Sequence, residues 1–113
     1  MIASVVTLLP ALDEVVSRLA VGLDAERIYL FGSQASGTAR PGSDYDLLVV
    51  VPRSDLPRHQ REAFSYDLLW GLTTPVDVIV LTRAEFQRIA QVKTSLAATA
   101  KEKGILLYGK PEE

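Results

Sequence analysis

A chain of 113 residues, 48% hydrophobic and 23% charged, suffices for one folded domain over 1–113 that buries about two-thirds of its unfolded surface. Twelve basic residues against fourteen acidic ones give a net charge of −2, which argues against direct nucleic-acid binding, because neutralising phosphates normally takes a basic surface. The absence of cysteine excludes disulfides and thiolate metal sites, and no apolar run approaches the ~18 residues of a membrane span.

The opening Met1-Ile2-Ala3-Ser4 lacks the basic stretch of a signal peptide, so a cytoplasmic address is expected. Leu8, Leu12, Val15 and Leu19, with Leu9, Val16 and Ala20 beside them, recur at helical spacing. Pro10 suits the first turn, Gly22 ends the pattern, and the helix is expected to cover a sheet. Arg27 to Phe31 reads as a first strand and Ser33 to Thr38 as a short helix, followed by the turn cluster Arg40-Pro41-Gly42-Ser43. Tyr45 to Val51 is nearly all apolar, as in a strand covered on both faces, and Pro52 stops it.

Arg58 to Leu72 carries a second long helix, with Phe64, Leu68 and Leu72 marking its expected buried side. His59, the only histidine, falls in its polar first turn and reads as solvated. Val76 to Leu81 is a third strand, interrupted by Asp77. Thr82 and Glu85 form a capping box that starts a helix at Arg83. Ser95 to Lys103 is the last helix, with Gly104 as its cap. Ile105 to Tyr108 is then a short strand or an extended tail, and Gly109 to Glu113 a frayed end.

The chemistry concentrates between Tyr29 and Val51: an apolar strand, Gly32-Ser33, ten residues, then Asp44-Tyr45-Asp46 opening a second apolar strand. In strand geometry Asp44 and Asp46 share one side, separated by roughly 6.5–7 Å of rise. Carboxylates so placed can bracket hard divalent cations, and a two-metal site wants its ions about 3.5–4 Å apart. Gly32 and Ser33 offer backbone N–H groups and a hydroxyl to phosphate oxygens. Asp77 has two readings: an acid kept wet at a strand mouth near Pro75, or a third carboxylate of the same site, since an ionised group inside an apolar run is costly without a partner.

Gly32-Ser33, ten residues and Asp44-x-Asp46, with the wording Phe31-Gly32-Ser33-Gln34-Ala35 and Ser43-Asp44-Tyr45-Asp46-Leu47, resemble the minimal nucleotidyltransferase (MNT) family of the DNA polymerase β-like superfamily. The resemblance runs from about Leu8 to Tyr108. It implies an α/β fold, a small mixed sheet flanked by helices in the manner of the polymerase β palm. It also implies a Mg²⁺-dependent transferase in which Asp44 and Asp46 bridge two Mg²⁺ ions. Asp77 would be a further ligand and a possible base, and Gly32 and Ser33 would seat the β- and γ-phosphates of ATP. Many family members carry Gly-Ser-x-Ala-Arg-Gly, whereas this chain has Ala35-Ser36-Gly37. Arg40 either replaces that arginine or is a solvated loop charge.

A chain with a catalytic sheet and no second domain needs its acceptor delivered by another protein. The resemblance names that protein as a helical HEPN-type ribonuclease toxin, AMP passing from ATP to one of its tyrosine hydroxyls with the MNT member as antitoxin. Two rival readings are a catalytically silent antitoxin that works by binding alone, and a transferase for a small molecule such as an aminoglycoside.

Overall fold

The apolar runs form a four-stranded sheet in the computed structural model, which describes residues 12–110. The strands are β1 Arg27–Phe31, β2 Tyr45–Val51, β3 Val76–Thr82 and β4 Ile105–Gly109, in the spatial order β3-β2-β1-β4. β1 pairs antiparallel with β2 and β4, whereas β2 and β3 run parallel, so the sheet is mixed. The helices are α1 Asp13–Gly22, α2 Ser33–Ser36, α3 Arg58–Leu68, α4 Arg83–Ala90 and α5 Leu96–Lys103. None of them is long and apolar enough to cross a membrane. The expected Leu8, Leu9 and Pro10 of the first helix, the start at Met1-Ser4, and the end from Pro111 to Glu113 lie outside the described residues.

Strand parity divides the core. Ile28, Leu30, Leu47, Val49, Val78 and Val80 pack with Val15, Val16 and Leu19 of α1 on one face. Tyr29, Phe31, Leu48, Val50 and Leu81 pack with Phe86 of α4 and Ala97 and Ala100 of α5 on the other. Successive strand residues alternate between faces, so a sheet covered on both sides demands apolar residues at consecutive positions, as in Ile28–Phe31 of β1 and Leu47–Val51 of β2. Tyr29 stacks on Phe86 with ring centroids 5.7 Å apart. The Arg27 guanidinium lies 5.3 Å from the centre of the same Phe86 ring.

β3 is an edge strand, and polar side chains of α3 close its open side. The Val78 N–H donates to Tyr66 Oη (2.9 Å), the Val80 N–H donates to Glu62 Oε2 (3.0 Å), and the Val80 carbonyl accepts from Arg61 Nη1 (3.0 Å). Unpaired edge groups invite another strand, and these bonds remove the invitation. They also overturn the expected face of this helix. Its buried residues are Arg61 and Ser65, while Phe64 is 45% exposed and Leu68 and Leu72 are only half-buried. A helix lying along a strand edge presents hydrogen-bonding groups to that edge, so its apolar periodicity no longer marks the buried side. The helix also stops at Leu68 rather than Leu72, and the chain turns through Trp70 and Gly71.

Two helix starts follow the sequence closely. Thr82 Oγ1 accepts from the Glu85 N–H (3.2 Å) and Glu85 Oε1 from the Thr82 N–H (2.8 Å), completing the capping box of α4. Ser95 Oγ accepts from the Ala98 N–H (3.1 Å) at the start of α5. Gly104 ends α5 in extended rather than left-handed backbone, with φ −79°. Glycine is required there by proximity, since a Cβ would stand 2.8 Å from the Leu30 carbonyl oxygen. Gly109, expected to fray, is the last residue of β4 and pairs with Arg27.

Glu85 does more than cap. Arg61 grips it with two parallel bonds, Nη1 to Oε1 at 2.7 Å and Nη2 to Oε2 at 3.0 Å. Hydrogen bonding to Arg61, ahead of the bonds from Thr82, pulls the Glu85 carboxyl from its ordinary 4.5 down to about 2. A depressed carboxylate stabilises the fold above its unfolded value, and the contribution fades as pH falls through the folded value. At pH 7, Glu85→Gln should cost about 2–3 kcal/mol, discounted for partial exposure. Denaturant unfolding of both proteins checks this: the stability gap should narrow as pH falls from 4.5 towards 2, and a gap independent of pH would refute the electrostatic origin.

Candidate active site

Topology brings three chain segments to one end of the sheet. β1 finishes at Phe31, and antiparallel pairing sets Phe31 opposite Asp46 near the start of β2. Parallel pairing makes β2 and β3 begin together, with Tyr45 opposite Val76 and Asp46 opposite Asp77. The Tyr45 N–H donates to the Pro75 carbonyl (3.0 Å), sewing the two starts together. Strand neighbours lie about 4.8 Å apart, so the Asp46 and Asp77 backbones are adjacent. Asp46 has the parity of Leu48 and Val50, and Asp77 that of Ile79 and Leu81. Both acids therefore belong to the face covered by α4 and α5.

The three predicted acids sit differently. Asp46 is half-buried, Asp77 is exposed, and Asp44 is exposed one residue outside β2. Burial raises the Asp46 carboxyl above its ordinary range, and the negative charges of Asp77 and then Asp44 raise it further. The acids therefore share one field. Among the described residues, though, no three acidic or histidine side chains are gathered tightly enough to enclose an ion unaided. An all-oxygen donor set of this kind suits Mg²⁺, which is commonly held by one or two carboxylates while water and substrate phosphates complete its shell.

Gly32 is the hinge between β1 and α2. Its φ of +74° with ψ of −155° is a glycine conformation, and an added Cβ would collide with Asp46 Oδ2. The glycine thus seats the carboxylate as well as the turn. α2 begins at Ser33, and the Ala35 and Ser36 N–H groups donate back to the Gly32 carbonyl, each at 3.1 Å. Ser33 and Gln34, at the helix start, have no intrahelical acceptor for their own N–H groups. Gln34 Nε2 donates to the Ser43 carbonyl (3.0 Å), and the Arg40 N–H donates to Ser43 Oγ (3.0 Å). These bonds tie down the loop that delivers Asp44. Arg40 is exposed on that loop, and Ser36 Oγ lies 2.8 Å from Thr38 Oγ1.

One contribution is invisible in the motif. A cavity of about 210 Å³ opens beside Gly32, and α5 supplies Thr99 and Lys103 to its lining. More than sixty residues separate Gly32 from these two, and no spacing rule links them.

Two substitutions probe this geometry without substrate. A carboxyl raised by burial and like charge favours the fold below its unfolded value and loses that contribution as pH rises through the folded one. At pH 7 in chelator, Asp46→Asn should therefore raise the melting temperature by a few degrees, with the gain vanishing below pH about 3.8. A drop in melting temperature would show that the carboxylate is held by favourable bonds instead. Gly32→Ala should lose about 1–3 kcal/mol to backbone strain and collision, partly restored in the Gly32→Ala, Asp46→Ala double variant. Strictly additive losses in unfolding titrations would refute the contact.

The sequence profile of the nucleotidyltransferase domain family matches residues 11–107. No curated protein matches significantly. Among solved structures, the chain is similar to a protein of Sulfolobus solfataricus assigned as a nucleotidyltransferase, at 25% identity and TM-score 0.60 over 86% of this chain and 76% of that one. A mutant of the toxin–antitoxin MntA-HpeT is similar at 26% identity and TM-score 0.57, covering 87% and 72% of the two chains. A toxin–antitoxin structure with AMP-PNP is similar at 26% identity and TM-score 0.52, covering 87% and 73%. With its polymerase β-like mixed sheet and its match over nearly the whole length, the chain belongs to the nucleotidyltransferase domain family, as a minimal, MNT-type member.

Proposed function

We propose that the protein transfers AMP from ATP to a hydroxyl of a partner protein, a tyrosine of a HEPN-type ribonuclease toxin, and so acts as its antitoxin. The observation that carries the reading is the in-register pair Asp46 and Asp77 at the sheet end where Gly32-Ser33 leaves β1. Similarity to toxin–antitoxin structures, one of them with AMP-PNP, supports both the partner and the nucleotide.

In this reading the Gly32-Ser33 turn binds the β- and γ-phosphates through backbone N–H groups and the Ser33 hydroxyl, which leaves the α-phosphorus facing the acids. The acceptor oxygen forms a new bond to the α-phosphorus while the α–β bridging bond breaks, and pyrophosphate leaves in line. The hydroxyl proton passes to the exposed Asp77 carboxylate and on to solvent. Asp44, Asp46 and Asp77 would hold Mg²⁺, two ions in all, which when bound neutralises phosphate charge and aligns the reacting groups. A protein acceptor fits a sheet end at which Asp44 and Asp77 are exposed.

A second reading, neutralisation by contact alone, is favoured by Ser36, which departs from the Gly-Ser-x-Ala-Arg-Gly wording of the family that the chain resembles. Intact mass spectrometry separates the two. With Mg²⁺, ATP and the HEPN-type partner, the partner should gain one or more AMP-sized increments on tyrosine, and Asp46→Asn or Asp77→Asn should abolish them. Transfer that persists in Asp77→Asn removes that residue from the site. A neutralising complex with no mass change, in parent and acid variants alike, decides for contact.

A further inference from the structure

Thr99 and Lys103 are four residues apart and so are stacked on one side of α5. Both line the 210 Å³ cavity, whose other walls include Phe31, Gly32, Ala35 and Ser36. α5 is fixed there from two directions. Ala97 and Ala100 are buried against the sheet face to which Asp46 and Asp77 belong. Gly104 then lets the chain pass close to the Leu30 carbonyl, after which Ile105 pairs with Leu30. Lys103 is thus delivered to the Gly32 turn by a packed helix. Its side chain is exposed and, among the described residues, joins no ion pair.

The donors around the cavity are unequal. Thr99 Oγ1 already donates to the Ser95 carbonyl (3.0 Å). The Ser36 hydroxyl is engaged with Thr38 Oγ1 (2.8 Å) and the Ser33 carbonyl (3.3 Å). The Lys103 ammonium keeps all three N–H donors for an incoming group. Lys101 and Lys103 both complement the negative end of the α5 dipole, but only Lys103 lines the cavity. The cavity is smaller than the roughly 300–1,000 Å³ of a pocket that encloses a whole drug-sized ligand, so it suits one end of a nucleotide.

We propose that Lys103 is the cationic contact for the terminal phosphates of the bound nucleoside triphosphate, across the cavity from Gly32. The inference rests on the nucleotidyltransferase reading and adds a binding residue to it. Calorimetric titration with ATP and with AMP, in Mg²⁺ buffer, tests it on the parent, Lys103→Met, Lys103→Arg and Lys101→Met, with melting temperatures confirming that each is folded. Lys103→Met should weaken ATP by about tenfold or more and AMP little, the loss of a charge-assisted bond to groups that only ATP carries. Lys103→Arg should retain most of the ATP affinity, and Lys101→Met, the same charge change on the same turn, should retain it all. Equal losses in Lys103→Met and Lys101→Met would reduce the effect to a general field and overturn the assignment. So would unchanged ATP affinity in Lys103→Met beside a parent that binds ATP, leaving the transferase reading intact. A parent that binds no ATP overturns both.

Discussion

A parallel strand pair cannot be closed by a tight turn, and the pairing of β2 with β3 requires a crossover of the kind that α3 provides. Here the crossover helix supplies more than reach. Arg61, Glu62 and Tyr66 bond the outward backbone groups of β3, and the double Arg61–Glu85 bond links that helix to the start of α4. The segment that makes the parallel pairing possible thus also seals the edge it creates. Register is at stake: a slip of one residue would swap Asp77 with Val76 or Val78 between the two faces and separate it from Asp46.

The two perturbed carboxylates show opposite uses of electrostatics. Glu85 gains a guanidinium, a capping N–H and a lowered proton affinity, and it holds elements together. Asp46 is pressed by burial and by two like charges, and it weakens the fold that carries it. Groups perturbed against stability, at a sheet end and beside other titratable groups, are where functional chemistry concentrates. Gly32 belongs to the same compromise, because its backbone conformation and the space of its absent side chain are both needed to bring Asp46 against the turn.

Much of this was legible in one dimension because the relevant patterns are local. Tyr45–Val51 reads as a doubly covered strand from the apolar run Leu47–Val51, Thr82 and Glu85 announce α4, and Ser95 announces α5. Asp44 and Asp46 attract notice because two acids one residue apart at the opening of an apolar strand share one side of it. The buried face of α3 is not legible in this way, because periodicity reports which side chains are apolar. It cannot report that the neighbouring surface is a strand edge, which calls for Arg61, Glu62 and Tyr66 and leaves Phe64 exposed.

The sequence by itself determined the helices and the first three strands, the Gly-Ser turn, the presence of three acids and the family, while leaving Ile105–Tyr108 open between strand and tail. Only the tertiary structure decided that Asp46 and Asp77 stand side by side, because strand order and register are set by long-range pairing that no local pattern encodes. It likewise decided that α5 brings Lys103 to the Gly32 cavity. That contact follows from the burial of Ala97 and Ala100 against the sheet and from the close passage at Gly104. Local preference fixes what each segment is, whereas packing against distant segments fixes which side chains meet.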